Sequence, residues 1–378
     1  MIFSVSQSAL KRGISIVSHA VPNKTSLPIL ANIKITAVGD VLTLQATDLQ
    51  MAITYTIPCI VSTPGDITLP AKLFSDVISN LANEQIEINI DAITNTATIK
   101  TAKSNISVNG ISAYDFPALP AVQDLTSIGR ISILDFRPAI NQVVVAAASD
   151  DSRPVLAGIH FQLEADSTTG TMSAADGFRL ANRKIEFSER NSNDAVELII
   201  PSKAMQEVSR MLAIADGGME MLYSENNAGF VVNHTDNGTM QLIARLIHGK
   251  YPDIQRVIPK EFGTRVVVNT AELIKAIKIS RLFSVSDANV VKLSFSPTEG
   301  IEVSASGDGK GKNVTHVDAE IEGALTVIGL NVKYIEEALG SVTTDKVVIE
   351  LNSEKNPAVF IPFEWTLYKH IVMPMMVR

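Results

Sequence analysis

Cysteine, tryptophan and long hydrophobic runs are scarce in this chain of 378 residues. The single cysteine, Cys59, can form neither an intramolecular disulfide nor a cysteine-rich zinc site, and a reducing compartment fits it best. The longest stretch without a charged residue is 49–65, and its two prolines and three threonines do not suit a bilayer core. No basic segment typical of a signal peptide opens the chain. We therefore expect a soluble, cytoplasmic protein.

Charged residues are also few, at 19%, against 46% hydrophobic residues, so the chain can bury large cores. Its length suits two or three domains of ordinary size. The net charge is −8, from 32 basic and 40 acidic residues. This balance excludes a protein that binds nucleic acid with its whole surface, but it permits one basic surface on an acidic body.

The chain repeats one pattern three times: an alternating strand, a helix, and further strands that end near an acidic residue. These acidic residues are Asp48, Asp176 and Asp308, at spacings of 128 and 132 residues. Such spacings are domain-sized and too long for a solenoid repeat. Within each copy, a second and weaker cycle of strand, helix and strands begins at 67–72, 198–203 and 325–331.

Each copy closes on an aromatic or apolar residue followed by proline. These pairs are Phe116-Pro117, Tyr251-Pro252 and Met373-Pro374. Irregular connectors follow the first two pairs and mark domain boundaries. We predict an α+β protein with three copies of one domain, at 1–127, 128–262 and 263–378, each made of two strand-helix-strand half-units.

Catalytic and metal-binding motifs are missing. The six histidines show no pair at the spacing of a zinc site. The glycine-rich segment 307–312 lacks the spacer and the Ser or Thr of a phosphate-binding loop, and we interpret it as a hairpin tip. Asp48 and Asp176 recur at equivalent places of separate copies, which is typical of a turn rather than of one active site. We expect no enzymatic activity, no metal and no cofactor.

Positive charge is concentrated on the predicted helices, which cover 7–21, 71–82, 135–149, 202–213, 271–283 and 331–339. These six segments contain ten basic and six acidic residues, a net charge of +4, and the rest of the chain carries −12. Ordinary solvated helix faces would explain this distribution, and so would a helical surface that contacts an anionic partner. Since no base-reading motif accompanies the helices, the second explanation favours sequence-independent contact with a phosphate backbone.

Five motifs, in order along the repeat, closely resemble the bacterial β sliding clamp family, the processivity subunit of DNA polymerase III. They are LPILAN at 27–32, ATDLQM at 46–51, ADGFRL at 175–180, YPDIQR at 251–256 and IVMPM at 371–375. The resemblance covers essentially the whole chain. It implies a head-to-tail homodimeric ring around double-stranded DNA, with helices lining the hole and sheets outside. It also implies tethering of the replicative polymerase, the clamp loader and repair proteins, without catalysis.

The width of a helix independently supports dimerisation. Six helices side by side, each about 10 Å wide, would leave a hole of only about 9 Å. Twelve helices leave about 28 Å, which is enough for a duplex about 20 Å across. One chain is therefore too small to encircle DNA, and two are enough.

By this resemblance, partner proteins insert a short linear motif into a pocket between the second and third domains. The residues that match its lining are Leu156, Ala175, Gly177, Phe178, Arg179, Leu180, Pro252, Arg256, Val257, Asn331, Tyr334, Val372, Met373, Pro374 and Met375. A cleft rich in Met and Leu can repack around different peptides. Plain core packing at the end of the chain is the alternative for Met373, Met375 and Met376.

Two features of the pocket depart from the family pattern. Phe178 stands where relatives often have histidine, and Ala175 stands where they often have threonine, which would shift the pocket towards apolar ligands. The tail continues past Met375 as Met376-Val377-Arg378 and adds a bulky side chain at the pocket's edge.

The resemblance also implies DNA-contacting and dimer-forming residues. The DNA-binding candidates are Lys24, Lys72, Arg137, Lys203, Arg210, Lys275 and Lys278. In another DNA-contact segment, relatives carry aromatic residues where this chain has Pro154-Val155. The dimer interface would join an edge strand of the first domain to a helix end of the third, unless these residues belong to intradomain cores. The interface candidates are Ile106, Val108, Leu282 and Phe283.

Two other functions stay open at the level of the sequence. A three-domain scaffold would recruit peptides without encircling DNA, and a monomer with an intact pocket would favour it. A hydrolase at a domain junction would need convergent titratable groups, which the sequence does not show.

Overall fold

The computed structural model of the protein describes residues 1–150, 152–233, 238–284, 289–307 and 311–376. Residues 308–310 of the predicted hairpin tip, which include Asp308, and the tail residues Val377-Arg378 lie outside the described residues. The α-helices are α1 Gln7–Val17, α2 Ala71–Asn80, α3 Ile133–Val144, α4 Ser202–Leu212, α5 Thr270–Arg281 and α6 Val332–Gly340. None of the described helices is long and apolar enough to cross a membrane.

The strands recur in three similar sets along the chain. The first set is β1 Ile2–Ser6, β2 Asn32–Val38, β3 Val41–Thr47, β4 Met51–Pro58, β5 Ile60–Thr63, β6 Gly65–Pro70, β7 Gln85–Asp91, β8 Thr96–Lys100 and β9 Asn105–Asn109. The second is β10 Thr126–Ser132, β11 Gly158–Leu163, β12 Thr169–Ala175, β13 Arg179–Arg190, β14 Val196–Pro201, β15 Gly218–Tyr223, β16 Asn227–Asn233 and β17 Thr239–Arg245. The third is β18 Thr264–Asn269, β19 Val290–Ser296, β20 Gly300–Gly307, β21 Gly311–Val317, β22 Ala319–Gly323, β23 Thr326–Asn331, β24 Lys346–Leu351, β25 Ala358–Pro362 and β26 Tyr368–Val372. Each set contains two helices at the places that the sequence pattern predicts.

Three of the described helices have side-chain caps, and two of the predicted helices extend four or more residues past the observed ends. Ser6, Asn269 and Asn331 cap α1, α5 and α6, because each side chain accepts a backbone N–H of the first turn. The helices predicted over 7–21 and 135–149 end at Val17 and Val144. The helical net charge is unchanged by the shorter ends, since no charged residue is lost.

The described chain divides into two compact units, each with one long antiparallel sheet. The first unit is Met1–Arg137, Phe187–Asp194 and Lys203–Leu246, and the second is Pro138–Glu186, Ala195–Ser202 and Ile247–Arg378. The long sheet of the first unit runs β6-β2-β3-β4-β17-β16-β15-β10. That of the second runs β14-β11-β12-β13-β26-β25-β24-β18-β22, where β13 contributes its first residues. The pairing of β4 with β17 therefore has its counterpart in the pairing of β13 with β26.

Each unit also has a shorter antiparallel sheet. In the first unit its order is β5-β1-β7-β8-β9, and in the second it is β21-β20-β19-β23. Helices pack their apolar faces on the sheets; in the second unit the core includes Leu273 and Ile277 of α5 with Ile335 and Leu339 of α6. In the first unit α1 lies so close to the sheet that a Cβ on Gly13 would sit 2.7 Å from side-chain atoms of Leu44 and Tyr55. Only glycine fits at that point of the helix.

Candidate functional site

A small apolar cavity of about 120 Å³ lies in the second unit, where β12 turns into β13. Its lining residues are Ala175, Gly177, Arg179, Leu180, Ile254, Val257, Ile371 and Met373. Behind it, Leu156, Leu180, Tyr251 and Ile371 belong to one buried hydrophobic cluster, so the floor of the cavity is rigid core. Such a cavity suits the side chain of one apolar residue of a ligand.

The turn 175–179 forms one wall, and Asp176 determines its shape. The Oδ1 atom of Asp176 accepts the backbone N–H groups of Phe178 at 2.9 Å and Arg179 at 3.0 Å. Gly177 has φ +94°, a left-handed conformation that side chains other than glycine's disfavour. The local sequence Asp-Gly thus specifies the turn, as its recurrence indicated.

Arg179 is the charged residue of the lining, and its charge is compensated on several sides. Its Nε donates to Asp176 Oδ2 at 3.0 Å, and its guanidinium also pairs with Glu337. The guanidinium carbon lies 4.4 Å from the centroid of the Tyr334 ring. Burial raises the pKa of the Tyr334 hydroxyl, with Asp176 adding to the increase and Arg179 opposing it. The cavity therefore presents an apolar interior beside a neutralised cation.

The structure brings together six of the predicted pocket residues as lining: Ala175, Gly177, Arg179, Leu180, Val257 and Met373. Leu156 lies directly behind them in the buried cluster. Ile254 and Ile371 line the cavity but were not among the predicted residues, although both lie inside motifs that carried the resemblance.

Val372, also predicted to line the pocket, is not among the residues that line this cavity. It is fully buried in the core formed with α5 and α6, whereas its neighbour Ile371 faces the cavity. Successive side chains of a strand point to opposite faces, so only one of these two residues can reach the site. Arg256 lines not this cavity but a more open one of about 420 Å³, which meets the first at Val257.

The other predicted pocket residues are not among those that line the cavity. The Phe178 side chain is 59% exposed, and Pro252 is exposed as well. The side chain of Asn331 accepts the N–H of Lys333 and caps α6, a structural role. Beyond Met373, Pro374 and Met375 are half-buried, and the N–H of Met375 donates to the Gly329 carbonyl oxygen at 2.8 Å.

The seven DNA-binding candidates are all exposed. Two of them have acidic partners within the first unit. Lys203 Nζ lies 3.0 Å from Asp48 Oδ2, and Arg210 pairs with Glu207. Their charges are thus partly neutralised, which makes Lys24, Lys72, Arg137, Lys275 and Lys278 the stronger candidates for contact with phosphate.

The four interface candidates differ in accessibility. Ile106 and Val108 lie on β9, which pairs with β8 alone among the described strands and is an edge of its sheet. The Val108 side chain is buried within its own sheet, so a second chain would meet Ile106 and the free backbone of β9. After α5, Leu282 is 66% exposed and Phe283 is half-buried.

Metal ligands do not cluster in the described part of the chain, where no group of three or more His, Cys, Asp or Glu side chains could hold an ion. The buried histidines take part in packing instead. His160 stacks on Tyr251, and His370 contacts the hydroxyl of Tyr368.

Family models of the DNA polymerase III beta subunit match almost the entire chain. The N-terminal domain model matches residues 1–120, the central domain model 130–253 and the C-terminal domain model 255–376. The chain belongs to the DNA polymerase III beta subunit family.

Relatives and solved structures of the beta subunit family agree along the full length. The beta sliding clamp of Synechococcus elongatus is 30% identical over 377 residues, which cover 98% of each chain. The beta sliding clamp of Bacillus subtilis is 29% identical over 367 residues, or 94% of each chain. The crystal structure of the DNA polymerase sliding clamp from Bacillus subtilis covers both chains completely, with a TM-score of 0.92 and 26% identity.

Membership of the beta subunit family confirms the resemblance and the three-domain α+β clamp fold. The family is a non-catalytic processivity subunit, so the expectation that this chain is not an enzyme is confirmed too. The family implies DNA and the polymerase as partners. The domain boundaries at 127 and 262 and the individual site residues stay predictions.

Proposed function

We propose that this chain is a DNA sliding clamp that forms a head-to-tail homodimeric ring around duplex DNA. In this proposal the cavity beside Asp176 binds short linear motifs of the polymerase, the clamp loader and repair proteins. The ring acts in the cytoplasm. Each chain contributes three domains, with boundaries near 127 and 262.

The observation that carries the proposal is the apolar cavity itself, in a chain that matches the beta subunit family from end to end. Its lining is aliphatic or sulfur-containing apart from Arg179, whose charge Asp176 and Glu337 compensate. A bulky apolar side chain of a peptide would enter it without burying an unpaired charge.

The charge distribution supports contact with DNA. The six described helices carry a net charge of +4 in a chain whose total is −8. Exposed lysines on separate helices contact phosphates without reading bases, so the contacts repeat along the duplex and the ring can slide.

The exposed edge of β9 and the exposed Leu282 support self-association. The unpaired N–H and C=O groups of an edge strand can form hydrogen bonds with a strand of another chain. Burial of a large exposed leucine in an interface removes apolar surface from water. A hole wide enough for a duplex also needs about twelve helices around it, and two chains provide them.

Sedimentation velocity at low micromolar concentration tests the ring. We expect a species of about 81 kDa, twice the chain mass of 40.7 kDa. The dimer is then loaded on nicked circular DNA with the organism's own clamp loader, and we expect linearisation of the DNA to release it. A persistent monomer with an intact pocket would favour the scaffold function, and equal retention on linear DNA would contradict encirclement.

Fluorescence anisotropy tests the pocket separately. The probe is a fluorescein-labelled decapeptide with adjacent Leu and Phe residues, and the control peptide has Ala at both positions. We expect binding of the first peptide only. Equal affinities, or no binding of either peptide, would contradict the peptide-binding role.

A further inference from the structure

The turn 175–179 has a counterpart at 47–51 in the first unit. Asp48 Oδ1 accepts the N–H groups of Gln50 at 3.0 Å and Met51 at 2.9 Å, as Asp176 Oδ1 does for Phe178 and Arg179. The residue after the aspartate has positive φ in both turns, +71° at Leu49 and +94° at Gly177. The two turns are therefore the same structure in different copies of the repeat.

The two turns differ in what supports them. In the first unit the hydroxyl of Thr47 accepts the N–H of Leu49 at 2.9 Å and donates to the carbonyl oxygen of Met51 at 2.7 Å. These two bonds close the turn from within. The corresponding residue of the second turn is Ala175, which has no hydroxyl, so both bonds are missing there.

A hydrogen bond to a distant residue supports the second turn instead. The N–H of Ala175 donates to the hydroxyl oxygen of Tyr251 at 3.0 Å, across 76 residues of sequence. Tyr251 is buried, and burial raises the pKa of its hydroxyl to about 12; the hydrogen bond from the Ala175 N–H opposes this increase and the Asp176 charge adds to it. The Tyr251 hydroxyl is therefore protonated at physiological pH.

Tyr251 is itself held in position. Its ring stacks on the His160 ring, with centroids 4.5 Å apart and planes 11° from parallel. His160 Nε2 lies 2.7 Å from Glu197 Oε1, which fixes the orientation of the imidazole. The tyrosine thus connects the pocket turn to the rigid sheet that contains β11 and β14.

We infer that Tyr251 is a positioning residue of the peptide pocket, whose hydroxyl holds the backbone at Ala175 in place of the missing threonine hydroxyl. This inference deepens the proposed function and rests on it for the identity of the ligand. Because Ala175, Gly177 and Arg179 all line the cavity, the position of the turn determines the shape that a peptide meets.

Three variants test this role: Tyr251→Phe, Ala175→Thr and the double variant. Tyr251→Phe removes one oxygen atom, and we expect the labelled Leu-Phe decapeptide to bind about five-fold more weakly, the usual effect of one hydrogen bond. In the Ala175→Thr background the hydroxyl at 175 restores the internal bonds, so we expect Tyr251→Phe to change affinity there by less than two-fold. Tyr114→Phe, at an almost fully exposed tyrosine, is the matched control and leaves affinity unchanged.

Amide hydrogen exchange provides a readout that does not depend on the peptide. We expect Tyr251→Phe to accelerate exchange across 175–179 and the double variant to restore the slow rate, while global unfolding stays the same. Unchanged affinity and exchange in Tyr251→Phe, or an equal loss in both backgrounds, would overturn the inference. If the wild-type chain binds no peptide, the proposed function fails while exchange still decides whether Tyr251 holds the turn.

If Tyr251→Phe folds poorly, the double variant decides. We expect Ala175→Thr to rescue its folding and to restore slow exchange at 175–179, because the added hydroxyl gives the turn the two bonds that Thr47 makes. A double variant that folds as poorly as Tyr251→Phe would overturn the inference.

Discussion

The backbone N–H of Met373 donates to the carbonyl oxygen of Phe178 at 2.9 Å. This bond attaches the segment after β26 to the turn that walls the cavity, and it leaves the Met373 side chain against the cavity. The equivalent bond in the first unit runs from Arg245 to Gln50 at 2.8 Å. The main chain therefore positions Met373, whatever side chain the residue carries.

Met373→Ala is expected to weaken binding of the Leu-Phe decapeptide about tenfold, because it removes apolar contact area from a small, well-packed cavity. The backbone bond to Phe178 persists, so the fold and the sedimentation coefficient stay the same. Isothermal titration calorimetry measures the affinity. Ile93→Ala, at an almost fully exposed residue of the first unit, is the control, and an unchanged affinity for Met373→Ala would contradict the assignment.

Gly177→Ala is expected to destabilise the chain by about 1 kcal/mol and to weaken peptide binding. The cause is the positive φ of Gly177, since a Cβ there would lie no closer than 3.4 Å to the nearest side chain. Urea unfolding measures the loss. Gly340→Ala is the control, because a Cβ at that helix end meets nothing within 4 Å and the residue has no positive φ. Equal stabilities of the two variants would show that the turn is not constrained.

Lys72→Ala and Lys203→Ala are expected to differ in their effect on DNA binding. The two lysines occupy the same position at the start of α2 and α4, but Lys203 is paired with Asp48. Loss of Lys72 is expected to reduce the slope of log affinity against log salt concentration by about 1, and loss of Lys203 to reduce it less. Fluorescence anisotropy with a labelled duplex at several salt concentrations measures both slopes. A larger effect for Lys203 would show that its ion pair opens on DNA.

Leu282→Asp is expected to convert the dimer to a monomer, because a charge would be buried in the interface. Sedimentation velocity at low micromolar concentration follows the change. Leu325→Asp is the control, since Leu325 is 64% exposed against 66% for Leu282 and is not one of the interface candidates. Dissociation by both substitutions, or by neither, would refute the proposed contact.

The free energy of unfolding is expected to decrease as the pH is lowered below about 6.5, because of His370. Burial lowers the pKa of His370 to about 3, and the Arg179 charge contributes to the decrease. The folded chain therefore keeps the imidazole neutral, while the unfolded chain binds a proton below pH about 6.5. The contribution of His370 to the free energy of unfolding is therefore complete above pH about 6.5. As the pH falls from there towards 3, this contribution decreases by at most about 1.4 kcal/mol per pH unit. Urea unfolding at pH 7 and pH 5 measures this; His370→Gln is expected to reduce the difference, and an identical difference in the variant would contradict it.

The repeat made much of the fold predictable from the sequence. Helix positions followed from apolar spacing, and the recurring aspartates identified the turns, because local hydrogen bonding determines both. The choice between Ile371 and Val372 could not be predicted, since both faces of β26 are buried and the strand shows no polar alternation. The hydrogen bond between Ala175 and the Tyr251 hydroxyl could not be predicted either, because a contact across 76 residues leaves no local pattern in the sequence.

The different supports of the two turns constrain how such chains can diverge. A relative with threonine at the position of Ala175 closes its turn locally and is free to replace the tyrosine at 251 by phenylalanine. A lineage that loses the threonine first must keep the tyrosine. Positions 175 and 251 are therefore expected to covary across the family. Along a lineage, the substitution that provides one support of the turn is expected to precede the loss of the other.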